Sequence, residues 1–204
     1  VGMRKANREW MLKIKDTGFI PEAELSDIVG DGAAYDYMRS GAVDLEQLIN
    51  SADLAVEATP DKIPDLVCLL KSEYAPVRYW GATGLLLLGE KANPVKKEIE
   101  EAMSDSSANV TIVLAEALYG LGEKEKGKKG LLAALKSPNS CARTHAFNVI
   151  DIVNENSLEI QLAVIKSLKE KKKLERDHMD DRCVRQLLLK WKINPNDHHI
   201  GIDW

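Results

Sequence analysis

Apolar residues recur with one spacing three times along the middle of the chain. YAPVRYWGATGLLLLGE, residues 74–90, aligns without gaps to SANVTIVLAEALYGLGE, residues 107–123, and this sets Val77 and Val110 33 residues apart. SCARTHAFNVIDIVNE, residues 140–155, places Ala142 another 32 residues on, and a weaker copy begins at Val184 and Arg185 after an interval of 42. Within each copy the apolar positions fall at offsets of 3, 4, 7, 8 and 11 from the first. They read Val77, Trp80, Gly81, Gly84, Leu85 and Leu88; Val110, Val113, Leu114, Ala117, Leu118 and Leu121; and Ala142, His145, Ala146, Val149, Ile150 and Val153. Those offsets lie on one face of an α-helix, so each copy predicts an amphipathic helix with a face to bury.

A partner helix is predicted just upstream of each copy. The sets are Ile63, Leu66, Val67 and Leu70; Val95, Ile99, Ala102 and Met103; Leu131, Leu132 and Leu135; and Ile160, Ala163, Val164 and Leu168. Short polar turns such as Lys71-Ser72-Glu73 and Lys136-Ser137-Pro138-Asn139 close the first, third and intervening sets. Helix, turn, helix at a period of about 30 to 45 residues is the signature of an α-solenoid, in which one unit cannot bury both its faces and stacked neighbours supply the core. The expectation is an all-α solenoid of about four helical hairpins over residues 44–193, with a helical leader over 1–43 and an irregular tail over 194–204. Leu45, Leu48, Ile49, Ala52 and Ala55 form the buried side of a further helix that caps the array. In the leader, Met3, Ala6, Trp10 and Ile14 share one side of a helix that stops near Gly18, and Pro21 restarts helix. Val1 opening a helical pattern reads as a piece of a longer chain.

Composition narrows the function. The 204 residues are 45% hydrophobic and 29% charged, and the net charge is −4. Such a chain buries a core and carries no overall basic field for a phosphate backbone. The two densest basic runs, at residues 124–129 and 169–173, interleave acids and hold no aromatic residue on which a base could stack, so no nucleic-acid interface is expected. The uninterrupted run Leu85, Leu86, Leu87 and Leu88 is far short of the ~20 residues that span a bilayer. Three cysteines, Cys68, Cys141 and Cys183, have no paired spacing and predict neither a disulfide framework nor a zinc module; they read as small buried hydrophobes.

Candidate chemistry is sparse. Cys141 sits four residues before His145 on one helix side, the arrangement a thiol nucleophile and its base need, but His145 shares its column with Trp80 and Val113 and reads as a core histidine. His178, Asp180, Asp181, Asp197, His198 and His199 carry metal-binding groups at a spacing that matches no known site. No catalytic or metal residue is assigned. The stronger candidate is a surface: on the side opposite the stripe the copies present Tyr79, Ile112 and Thr144, then Thr83, Glu116 and Asn148, then Leu86, Tyr119 and Asp151. Exposed Tyr and aliphatic groups in register are suited to contact with a protein.

Pro76-Val77-Arg78, Ala142-Arg143 and Val184-Arg185 open the copies with a Val-Arg-like pair, and in this the pattern resembles the HEAT family. The leader string Trp10-Met11-Leu12-Lys13-Ile14-Lys15-Asp16-Thr17-Gly18-Phe19-Ile20-Pro21-Glu22 looks like a segment of bacterial sulfatases of the arylsulfatase and heparan-sulfatase type, in which a Trp-containing helix closes the catalytic region and a HEAT array completes the chain. Val77-Arg78-Tyr79-Trp80-Gly81-Ala82 is similar to the first repeat of those proteins. The resemblance covers nearly the whole chain but only that accessory region. No Cys or Ser stands four positions before any arginine here, as the formylglycine motif of the family requires. What the resemblance implies is a non-catalytic accessory and interaction module, periplasmic or secreted, with formylglycine and calcium confined to an absent catalytic domain. Its implied partner is that domain, with sulfated glycan as a further contact. A free-standing scaffold that binds a protein is the alternative.

Overall fold

The computed structural model describes residues 2–169, 179–194 and 197, and the described residues contain helices and no strand. In chain order they are α1 Gly2–Ile14, α2 Glu22–Val29, α3 Ala34–Arg39, α4 Leu45–Glu57, a 3₁₀ turn Pro60–Lys62, α5 Ile63–Leu69, α6 Ala75–Leu88 and a second 3₁₀ turn Gly89–Val95. Then come α7 Lys96–Ala102, α8 Ala108–Gly120, α9 Lys124–Ala134, α10 Ser140–Ile152, α11 Leu158–Lys169 and α12 Met179–Trp191. The all-α expectation thus holds, and the chain divides into two compact units, residues 1–98 and 99–204.

In the first unit the helix starts are set by local chemistry. The Asp44 carboxylate accepts from the Gln47 backbone N–H at 2.9 Å and caps α4, and prolines occupy the first turns of α5 and α6, where a missing N–H costs nothing. α6 packs on α4 and α5. The predicted inner side of α4 is buried at every position, Leu45, Leu48, Ile49, Ala52 and Ala55. Gly81 is what lets α6 approach α5 so closely: a Cβ there would lie 2.8 Å from Leu69 Cβ and 2.9 Å from the Leu66 carbonyl oxygen. Residues of the expected leader share a core with α4 and α6, in which Ile20 and Met38 are buried with Leu45, Leu48, Ile49 and Val77. Packing therefore runs without a break across residue 44.

Two helices of the second unit, α8 and α10, start with side-chain caps. Ser107 accepts from Val110 N–H at 3.2 Å to open α8, and Asn139 accepts from Cys141 N–H at 2.9 Å to open α10. α8 packs on α9 and α10, and α12 on α10 and α11. The predicted stripe residues Val110, Val113, Leu114, Ala117 and Leu118, and Ala142, Ala146, Val149 and Ile150, are all buried. Gly127 repeats the device of Gly81, since a Cβ there would lie 2.7 Å from the Ala115 carbonyl oxygen.

The Met3, Trp10 and Ile14 side of α1 faces solvent, at 88%, 57% and 37% exposure. One expectation is corrected. The cysteines are not buried: Cys68 is exposed, and Cys141 and Cys183 are half-buried.

Candidate interaction surface

In the first unit Tyr79, Thr83 and Leu86 are partly buried on α6. Tyr79 meets Trp80 edge to face, with ring centroids 5.5 Å apart, and the Thr83 hydroxyl donates to the Tyr79 carbonyl at 2.8 Å. Trp80 donates its indole N–H to the Phe19 carbonyl at 2.9 Å, and Gly18 N–H bonds the Asp16 carboxylate at 2.9 Å in the same segment. The connector between α1 and α2 is thereby held on α6.

α1 is seated by its charges. Arg4 donates to Asp53 Oδ1 at 2.9 Å, and Arg8 donates to Asn50 Oδ1 at 2.6 Å and Asp53 Oδ2 at 3.3 Å. Arginines four apart on α1 thus match an acid and an amide three apart on α4. Met11 and Leu12 complete the inner contact. The outer face is then left to Met3, Trp10 and Ile14. At the C-terminal end of α1 the Arg39 guanidinium donates to the Ile14 carbonyl at 2.7 Å and stacks 3.6 Å over the exposed Tyr35 ring.

In the second unit the expected ladder does not form one open face. Ile112 is fully buried and Tyr119 is 8% exposed, both inside the core of α8, α9 and α10. α8 carries apolar residues on every side, with Glu116 its one charged residue, and a helix of that kind is enclosed rather than laid on a surface. The Tyr119 hydroxyl donates to Glu155 at 2.9 Å; burial, then that carboxylate, raises the phenol's pKa. Burial pushes Glu155 upward, but bonds from Ser157 and Tyr119 outweigh it and hold the carboxyl below its ordinary range.

Glu116, Thr144 and Asp151 are partly buried and Asn148 is exposed. Burial raises the Glu116 carboxyl. Asp151 receives Lys190 at 2.6 Å, and Asn148 accepts from the Cys183 thiol at 3.5 Å. His145 is partly buried with Nδ1 3.3 Å from Asn109 Oδ1, and burial lowers its pKa.

Arg78 and Arg143 do the same work in their own turns. Arg78 Nη1 donates to the Ser72 and Glu73 carbonyls at 2.9 and 3.0 Å, and Arg143 Nη1 to the Ser137 and Pro138 carbonyls at 2.7 and 2.8 Å. Each thus ties a helix start to the turn five and six residues before it. Arg143 also holds the buried Asp180 through Nε at 2.9 Å and Nη2 at 2.8 Å.

Among the described residues no three His, Cys, Asp or Glu side chains gather as a metal site, and no helix is long and apolar enough to cross a membrane. His178, His198 and His199 lie outside the described residues, as does most of the basic run at 169–173. A cavity of about 310 Å³ in the second unit is lined by Met103, Thr111, Leu118, Lys126, Lys129 and Gly130, and Lys126 is already paired with Glu100 at 2.6 Å. Sequence reasoning missed the open face of α1, because the seating pairs Arg4 with Asp53 and Arg8 with Asn50 are more than 40 residues apart in the chain. No protein-family model, curated protein or solved structure matches this chain.

Proposed function

We propose that the chain is the HEAT-like accessory region of a periplasmic or secreted sulfatase, docking on the catalytic domain of its own polypeptide and performing no chemistry itself. The observation that carries the reading is the bond from Trp80 Nε1 to the Phe19 carbonyl. It joins the two stretches on which the resemblance rests, the leader string and the first repeat, so that both resembling motifs serve one junction. The repeated use of Arg78 and Arg143 to tie a helix to its preceding turn supports a common helical-hairpin unit. A sulfated glycan is not a proposed partner: a polyanion needs unpaired cations, and of the ladder residues on α8 and α10 the charged ones are the acids Glu116 and Asp151, the latter already holding Lys190 at 2.6 Å.

The test is the coding sequence upstream of Val1. We expect several hundred codons that include a Cys or Ser with Arg four positions later. A start codon and signal sequence close to Met3 would overturn the reading and leave a free-standing scaffold. The chain itself should hydrolyse an aryl sulfate no faster than buffer, and turnover above that level would equally sink the proposal.

A further inference from the structure

The cavity of about 310 Å³ in the second unit is walled by the end of α7 and the turn after it, by α8 and by α9. Local arrangements make its inner surface apolar. The Thr111 hydroxyl donates to the Ser107 carbonyl at 3.1 Å, and the Thr111 methyl is turned toward Gly130, 3.5 Å from where a Cβ there would stand. Gly130 has no side chain, and the Met103 methyl lies in the space that its Cβ would take. Leu118 is fully buried beside them, and Ala133 stands at the exposed edge.

Charge at the rim is uneven. Glu100 and Lys126 are joined at 2.6 Å, and Lys126 also lies 3.2 Å from Glu123. Lys129, one helical turn after Lys126, lines the cavity, is exposed and makes no ion pair among the described residues. The lining thus carries one carboxylate and two ammonium groups, and the ammonium without a partner stands beside an apolar floor. These features discriminate among ligands. A neutral apolar molecule leaves Lys129 unpaired, and a cation finds Glu100 already engaged. A dianion needs a second cation, and Lys126 is held by two carboxylates. A single negative charge on an apolar body matches both the rim and the floor. The volume is roughly ten times the share of liquid that one water takes, which suits a molecule of about ten non-hydrogen atoms.

We infer that this cavity is a binding site for a small monocarboxylate with an apolar body of roughly six to eight carbons. Its chain lies on Met103, Thr111 and Leu118, and its carboxylate meets Lys129. Burial of the apolar body supplies most of the affinity, and the exposed ion pair at the rim orients the ligand. The site lies wholly in the second unit and is independent of the sulfatase reading.

The experiment is titration of this chain, carbon-13 labelled at its methionine methyl groups, with sodium octanoate, followed by NMR. The Met103 signal, identified by its absence from Met103→Leu, should shift and saturate with a Kd on the order of 1 mM or tighter, while the Met3 and Met38 signals stay in place. Lys129→Gln should weaken octanoate about three- to five-fold, and octanol should bind the parent more weakly than octanoate by a similar factor. Ala133→Phe, at the exposed edge, should abolish the Met103 shift and leave the melting temperature unchanged. A Met103 signal that does not saturate overturns the inference. So does octanol binding as tightly as octanoate, or an unchanged Kd in Lys129→Gln, since either makes the cavity an apolar hollow indifferent to charge. A Met103 shift that persists in Ala133→Phe places the ligand elsewhere, and a Met3 shift matching that of Met103 places it on the open face of α1; both equally overturn the assignment.

Discussion

Single residues carry the tightest constraints. Gly81 lies where a Cβ would press on the Leu66 carbonyl and Leu69 Cβ, and backbone cannot swing aside as a side-chain tip can. Gly81→Ala gains about 1 kcal/mol of helix propensity but incurs an overpacking cost of about 1–3 kcal/mol. We expect a net loss, with the melting temperature of the first unit falling by roughly 5 °C; a rise would show that α5 can retreat. Gly81 and Gly84 stand in the predicted stripe beside Trp80, where a missing side chain makes room either for that ring or for a neighbouring helix. The neighbouring helix is the answer, because the atoms they would meet belong to α5 and α4.

His145 makes a second prediction at this scale. Burial lowers its pKa, so the folded state prefers neutral imidazole and the unfolded chain binds the proton more readily. Stability from this group is present above the unfolded value of about 6.5 and is lost as pH falls below it toward the folded value. Glu155, also held low, loses its contribution in a separate and more acidic window, as pH falls below the ordinary carboxyl value toward its own. Urea melts of His145→Gln between pH 7 and 5.5 should show a shallower decline than the parent, since glutamine keeps a partner for Asn109 and does not titrate. An unchanged slope would remove His145 from the account.

At the scale of elements, arginine decides how helix starts are tied down. Arg143 serves two turn carbonyls and the buried Asp180, and Arg78 likewise serves two turn carbonyls. Arg143→Met leaves the Asp180 carboxylate without its guanidinium and should cost about 3–5 kcal/mol. In an Asp180→Asn background the same change should cost less, and denaturant melts of the four proteins give the coupling. Full additivity would mean that the pair contributes nothing beyond the turn bonds. The pairing of positions 78 and 143 was legible as a repeated Val-Arg-like motif. The involvement of Asp180 was not, because 37 residues and a change of helix intervene. α8 shows the opposite failure. Its stripe was identified by period, yet ANVTIVLAEALYG has no polar side from which to define an outer face, so Ile112 and Tyr119 were assigned outward and lie in the core.

At the scale of the molecule, each of the two units holds a core that its own helices supply. The period of 3.6 and the polar turns determined by themselves that the chain is helical, where the helices of the three copies begin, and which stripe those helices bury. These are local properties, written in spacing, proline placement and capping residues. Tertiary structure decided which of two faces points outward when both are apolar, as on α8, or when charge outbids apolarity, as on α1. Both outcomes depend on partners more than 30 residues away, Glu155 for Tyr119 and Asp53 for Arg4, and no window along the chain contains both members of either pair.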